Sequence, residues 1–525
     1  MDHPHKNKQS KIGSGSVGRV TFVGISVLLQ VVWIVLGIVR LQRIYAPLSL
    51  LIEISAFILV LALYSNPKNN ALKMPWIMLI LTFPLLGVSL YFLLGRSGLN
   101  HRVKKRYGQI KETLWKNLSG EESFLSEENV QKSTAYGSFY YLQKYEKYPL
   151  YKHTKVTFFG QAEEGFLQQI EDMKQAKEFI FLEYHAIEDG ESFGKMKAIL
   201  EQKVKEGVEV RILYDDVGSM GFLTPAFVLR MKKAGVDCRI FNPVIPFLKM
   251  FMNHRDHRKI TVIDGKVGYT GGYNLAEEYF NKVHPYGHWK DTGIRLEGEA
   301  VNSFTALFLE LWNVARETDQ ICSPGFYQKY FPKRQETTKE VWEQGFVQPF
   351  GCSPLDGERT GENAYLNLVK TAKSYVHITT PYLMITDEMS KELELAVKRG
   401  VEVILVTPGI PDKKLVNRIT KSYYHGLAKS GVRIFEYTPG FLHAKEVICD
   451  GNMAIIGTIN LDYRSLYLHF ENGVLLAELE EIQKMEEDFQ AILQISNEVT
   501  QKYQTPRRLW VRMWYSIFRL IAPLL

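Results

Sequence analysis

Apolar residues are distributed along this chain in three textures, and each predicts a different kind of structure. Residues 20–39 form an uncharged apolar run interrupted by Gln30; residues 44–64, which carry Glu53, and 75–95 are two more. Each is long enough for a transmembrane helix, and the first is longer than a signal-peptide core. A polar tail, 1–19, precedes them with Lys6, Lys8, Lys11 and Arg19. Its Gly13-Ser-Gly15-Ser-Val-Gly18 has the spacing of a dinucleotide loop, but no strand leads into it, so it reads as flexible tail. Arg96, Arg102, Lys104, Lys105 and Arg106 follow the third run. Basic flanks stay inside, which places this cluster and the chain after it in the cytoplasm. Three spans would carry the basic tail across and two would not, so two or three transmembrane helices are expected within 20–96.

A charged connector, 97–150, leads into the second texture, alternating helical and strand periods. Helical 163–177 precedes an apolar strand at 179–184. Helical 193–206 leads through Gly207 to strand 208–214, and helical 225–234 through Gly235 to strand 236–241. The order recurs as helical 361–373, strand 376–380, helical 387–399, strand 401–406, helical 412–430 and strand 432–435. Such alternation predicts an α/β fold with largely parallel or mixed sheets and helices on both faces. The repeat is too long for a solenoid and reads as a duplicated unit. Two halves, 151–335 and 336–500, are expected to face each other across one shared site.

The third texture is the C-terminus, 505–525. Arg507, Arg508, Arg512 and Arg519 are interleaved there with Leu509, Trp510, Trp514, Phe518 and Ile521. This pattern predicts a basic amphipathic helix lying in a membrane interface and favouring anionic lipids, with docking on the protein's own core as the alternative.

The candidate chemistry is carried by a motif that appears twice. His257-Arg-Lys259 is followed by Asp264-Gly265, Gly271-Gly272 and Asn274; His443-Ala-Lys445 is followed by Asp450-Gly451, Gly457-Thr458 and Asn460, with every interval preserved. In a strand, positions i and i+2 share a face, so each imidazole projects with its ammonium. Asp-Gly is the dipeptide of a tight hairpin turn, and small residues at the end of the return strand allow close backbone approach. Each copy therefore presents an imidazole, an ammonium and an amide at one end of a hairpin. His153-Thr-Lys155 shares the first two residues but has Gly160 where the Asp belongs, and reads as incidental.

These residues resemble the phospholipase D superfamily and, in detail, bacterial cardiolipin synthases. The resemblance is carried by Tyr214-Asp-Asp-Val-Gly218, His254-Arg-Asp-His-Arg-Lys259, Thr270-Gly-Gly-Tyr-Asn274, Thr379-Thr-Pro-Tyr382 and Gly457-Thr-Ile-Asn-Leu-Asp-Tyr-Arg-Ser465, and runs from residue 66 to the C-terminus. It implies that His257 is the nucleophile, forming a phosphohistidine, and that His443 is the acid for the departing alcohol. Lys259, Lys445, Asn274 and Asn460 would surround the phosphate, with Gly272 and Thr458 where many members have Ser. Asp264 and Asp450 complete the catalytic motif at turns whose geometry they are expected to hold. Asp291, downstream of His257, and Glu471, downstream of His443, match the acids that orient each His. The implied reaction moves a phosphatidyl group from one phosphatidylglycerol to another, giving cardiolipin and glycerol, with no metal or cofactor.

Composition narrows the remaining classes. The net charge of +7 is concentrated in the segments flanking the apolar runs rather than spread as a nucleic-acid face, so no nucleic acid partner is expected. Cys238, Cys322, Cys352 and Cys449 have neither C-x-x-C nor metal-ligand spacing and suit a reducing compartment. A membrane-bound hydrolase or another phosphatidyltransferase on the same site, and a non-catalytic membrane scaffold, remain as alternatives, the last expected to show an eroded motif.

Overall fold

The computed structural model describes residues 46–525 except 67–68, 96–100, 117, 119–123, 225, 245–252, 317–323, 333–344, 506–507 and 525, together with scattered positions between 25 and 36. The polar tail and most of the first apolar run lie outside the described residues.

The third apolar run differs from expectation. Its helix begins earlier, as α2 (Asn70–Thr82), and stops at Phe83, where α3 (Pro84–Leu90) starts. Pro84 has no N–H to donate and pushes the residue before it out of the helical region; Phe83 stands at φ −135°, ψ 76°. The chain then doubles back. A Cβ on Gly87 would lie 2.5 Å from Ile80 Cα, although seven residues of straight helix span roughly 10 Å. α1 (Ala46–Ser65) joins this hairpin through Ala56, Leu63 and Ile80. Among the described residues, no helix is long and apolar enough to cross a membrane. Leu50, Leu51, Ile54, Phe57, Ile58 and Leu61 of α1 are nonetheless exposed.

Beyond α4 (His101–Trp115), the chain forms two sheets with the same topology. The first contains β1 (Thr154–Phe159), β2 (Phe179–Tyr184), β3 (Glu209–Asp215), β4 (Asp237–Phe241), β5 (Lys259–Ile263), β6 (Val267–Gly271) and β8 (Gly293–Gly298), ordered β1-β8-β6-β5-β2-β3-β4; β7 (His288–Lys290) lies outside it. The second contains β9 (Phe346–Cys352), β10 (Tyr375–Thr379), β11 (Glu402–Pro408), β12 (Arg433–Tyr437), β14 (Glu446–Cys449), β15 (Met453–Gly457), β16 (Glu471–Ala477) and β17 (Ser496–Glu498). Its order, β9-β16-β15-β14-β10-β11-β12-β17, repeats the first and adds one edge strand. In each half three strands run parallel, as helix–turn–strand alternation predicts, and the motif hairpin is inserted antiparallel beside them.

α4 and α5 (Val301–Val314) pack on each other and help to fill a core shared with the second half. α6 (Lys414–Ser430), closed by Gly431 at φ 102°, carries the C-terminal helix α7 (Leu509–Ile521) on its surface. Arg519 fixes the junction, donating to Ser422 O at 2.6 Å and stacking over the Tyr423 ring. The opposite face of α7 is open, with Trp510 73% and Trp514 58% exposed beside Leu509, Met513 and Ile517.

Candidate active site

The two motif hairpins, β5–β6 and β14–β15, form as their sequences dictate. Asp264 and Gly265 take φ of 53° and 64°, and Asp450 and Gly451 take 52° and 68°, the left-handed pair of a two-residue turn. The Asp264 carboxylate accepts the backbone N–H groups of Lys177, Glu178 and Phe179 at 2.8, 2.8 and 2.9 Å. Asp450 does the same for Lys373, Ser374 and Tyr375 at 2.8, 2.8 and 2.9 Å. Seven residues, roughly 20 Å of extended chain, separate each from its imidazole. Asp264 and Asp450, counted with the catalytic motif, hold its geometry as expected: they anchor the far end of the hairpin, away from the imidazoles.

The orienting acids are crossed between the halves. His257 Nδ1 meets Glu471 Oε2 at 2.9 Å, and His443 Nδ1 meets Asp291 Oδ2 at 2.6 Å. The chain enforces this through its backbone. His257 N donates to Phe470 O at 2.8 Å and His443 N to Lys290 O at 2.7 Å, so each His is pinned to the residue just before its acid. β13 (Gly440–Leu442) pairs in parallel with β7, and Asp256 bridges to Phe470 in the mirror position. Neither half closes its own site.

The positions expected to touch phosphate divide differently. A Cβ on Gly272 would stand 1.9 Å from Asp291 Oδ1, so glycine makes room for the acid. Thr458 Oγ1 donates to Glu471 Oε2 at 2.5 Å and accepts from Asn472 N at 2.9 Å. Both backbone N–H groups are also taken, Gly272 by Thr292 O and Thr458 by Asn472 O. Gly272 and Thr458 are thus corrected from phosphate contacts to supports of the acids. Asn274 is partly engaged, accepting from Ala186 N at 3.1 Å and donating to Tyr279 at 2.8 Å. Asn460 Oδ1 is buried with no partner among the described residues.

Electrostatics tie the site together. Burial pushes the Lys259 ammonium down to about 8, opposed by Glu471 and Asp291 together, and Lys445 down to about 7. Burial and then Lys445 lower His443 to about 4 against the pull of Asp291. His257 is held well below its ordinary value by burial, then by Lys259, Lys445 and His443. Burial alone would raise Asp291; His443 and Lys445 outweigh it and keep the carboxyl low. The resting site therefore holds neutral imidazoles among cations and ionised acid.

Several residues that line the site were not singled out from the sequence. His443 is boxed by the rings of Trp289, Tyr279 and Phe441, with centroids at 5.2, 5.4 and 5.7 Å. His257 instead faces His185 and His469 at 4.9 and 5.6 Å. Arg258, fully buried, donates to Leu307 O at 2.9 Å and Glu471 O at 3.3 Å and lies 3.5 Å from Glu310, which also accepts from Trp115 of α4. One signal was available: His469 and Trp289 each lie two residues before an orienting acid. Donor atoms of His257, His469 and Glu471 lie within 4.8 Å of one another, a spacing that a cation can bridge. Lys259 and Lys445 share that space, and their charge opposes a divalent ion there.

Comparison with known proteins agrees with this geometry. A family model described as "Cardiolipin synthase, PLD-like domain" matches residues 169–312 and 365–493, and one described as "Phospholipase_D-nuclease N-terminal" matches 53–96. A cardiolipin synthase of Halalkalibacterium halodurans is 32% identical over 91% of this chain and 93% of its own length. A cardiolipin synthase 2 of Bacillus anthracis is 32% identical over 90% of each chain, and an uncharacterized Streptococcus mutans protein is 37% identical over 89% of this chain and 99% of its own. Among solved structures, phosphatidylserine synthase of Haemophilus influenzae shares the fold, with a TM-score of 0.55, 17% identity and coverage of 73% of this chain and 98% of that one. The chain belongs to the cardiolipin synthase family of phospholipase D-like proteins.

Proposed function

We propose that this protein joins two phosphatidylglycerol molecules into cardiolipin and free glycerol by double displacement at the shared site. The observation that carries the reading is the pair of crossed His–acid contacts, which brings two oriented imidazoles and two lysines into one buried pocket. His257 Nδ1–H is held by Glu471, leaving Nε2 to attack phosphorus. As the anionic substrate enters, His443 takes up a proton from solvent; with its Nδ1–H held by Asp291, it delivers the Nε2 proton to the departing oxygen as the P–O bond to glycerol breaks. The diacylglycerol phosphate is then bonded to His257. The second phosphatidylglycerol gives its hydroxyl proton back to His443, its oxygen attacks phosphorus, and His257 is released. Lys259, Lys445 and the Asn460 amide stabilise the equatorial oxygens. Burial among cations keeps the His257 imidazole neutral and free to attack, and Asp291, which pulls the proton affinity of His443 up against burial and Lys445, suits His443 to the acid. One phosphodiester replaces another, so no nucleotide or cofactor is required.

The reading extends to the membrane. The apolar helices α1, α2 and α3 and the open face of α7 hold the two halves against a bilayer that contains the substrate, with the catalytic unit on the cytoplasmic side. The test uses the full chain in liposomes of labelled phosphatidylglycerol. Cardiolipin and glycerol are expected in equal amounts, and His257→Ala or His443→Ala should lower both by at least about 10⁴-fold. Phosphatidic acid with glycerol would instead identify water as the acceptor and refute the transfer.

A further inference from the structure

The pseudo-two-fold that relates the motifs fails beside His257. Arg255 and Phe441 occupy equivalent positions, two residues before each His; His469 and Trp289 stand two before each acid; Arg464 and Glu278 each lie four beyond the motif Asn. One side therefore carries two guanidiniums and an imidazole where the other carries two aromatic rings and a carboxyl. The cationic set is assembled by the backbone. Phe470 N donates to Arg255 O at 2.9 Å, His469 N to Arg464 O at 2.9 Å, and His254 Nδ1 meets Leu468 O at 3.0 Å.

These cations are incompletely used within the protein. Arg255 is almost wholly buried; its Nη2 donates to Asn242 O and its Nε lies 3.4 Å from Asp215, but Nη1 has no partner among the described residues. Arg464, half-buried, has an unpartnered Nε and makes no side-chain hydrogen bond or ion pair among them. His469 forms no hydrogen bond through either ring nitrogen, its nearest acid being Glu471 at 3.8 Å. Burial weakens the Arg464 charge, Asp462 opposes that, and Arg255 adds repulsion; His469 is held low first by burial, against Glu471, with His257 and Arg464 adding to it. Buried like charges with unmet N–H groups cost stability unless an anion completes them.

We propose that Arg464, backed by Arg255 and flanked by His469, forms a second phosphodiester subsite that holds the phosphate of the acceptor phosphatidylglycerol. The inference rests on the transfer reaction above. A three-carbon glycerol alone separates the acceptor's phosphate from the hydroxyl that attacks phosphorus, so that phosphate must also be held within the shared site. A guanidinium suits it, being a planar fork matched to phosphate oxygens. The location also suits a lipid. Arg464 belongs to the short helix Tyr463–Tyr467, where Tyr467 OH accepts from Asn69 at the start of α2. Ala522–Leu524, at the end of α7, packs on the same helix. The subsite lies where the apolar helices meet the catalytic unit.

The test compares two acceptors in phosphatidylglycerol liposomes carrying the full chain. Cardiolipin formation needs an acceptor with its own phosphate, whereas exchange of labelled free glycerol into phosphatidylglycerol uses the same donor and histidines without one. Arg464→Gln is expected to lower the ratio of cardiolipin formed to glycerol exchanged at least tenfold. His469→Gln should lower it in the same direction, and Arg464→Lys, which keeps the charge, should preserve most of it. Because the reading is a ratio within one preparation, a partly unfolded variant does not distort it. Cardiolipin synthesis by the unchanged protein with an unaltered ratio in all three variants overturns the subsite alone. Hydrolysis without cardiolipin by the unchanged protein overturns the transfer and the subsite with it.

Discussion

The two sides of the site share a skeleton and differ in lining. Around both histidines the hairpin, the Asp–Gly turn, the backbone pin and the crossed acid recur with nearly the same distances. Around His443, however, the walls are Trp289, Tyr279 and Phe441; around His257 they are His185 and His469, with Arg255 acting on His185 and Arg464 on His469. Duplication supplied two equivalent imidazoles, and divergence of the flanking positions gave them different surroundings. An aromatic box suits the apolar and hydroxylated part of a lipid headgroup, whereas a cationic wall suits a second phosphate.

The comparison breaks most sharply if the acids are altered one at a time. Glu471→Gln should cripple His257, and Asp291→Asn should cripple His443, each by about 10³- to 10⁴-fold in cardiolipin formation. A phosphatidyl substrate with nitrophenol as leaving group separates the two, since nitrophenolate departs without an acid. Asp291→Asn should regain most of the nitrophenol release and Glu471→Gln should not. The reverse rescue would show that each acid serves the His of its own half. Gly272→Ser is expected to be next in size. Its Cβ would displace Asp291, and an ångström of misplacement costs about 10²-fold. Thr458→Ser, which keeps the hydroxyl on Glu471, should remain close to the unaltered rate; equal losses in both variants would argue against distinct supports.

The last prediction is a dependence on pH that both halves share. Lys445 and Lys259 are held at about 7 and about 8, chiefly by burial. Both lose positive charge as pH rises through those values, so kcat/KM for phosphatidylglycerol should fall above about pH 8 by at least tenfold per unit. A flat profile to about pH 10 would mean that neither ammonium is needed in the free enzyme.

Much of this was legible in the chain. The doubled motif, the Asp–Gly turns and the six parallel strands followed from spacing and periodicity, because strand alternation and turn chemistry are local. The crossed acids were not. Spacing placed Asp291 after His257 and Glu471 after His443, but contact depends on how two halves dock, and a pseudo-two-fold exchanges partners without altering any interval. Thr458 and Gly272 were read as phosphate contacts for the same reason: their neighbours come from strands paired far along the chain. In 75–95 hydropathy concealed a break at Pro84, which a count of apolar residues does not register.

The most direct test of the account is to find where the phosphatidyl group is bonded during turnover. The full chain, mixed with phosphatidylglycerol and quenched within the first turnover, would be digested and its peptides weighed. The account predicts an alkali-stable, acid-labile phosphatidyl adduct on His257 and none on His443. An adduct on His443 would contradict the assignment of nucleophile and acid.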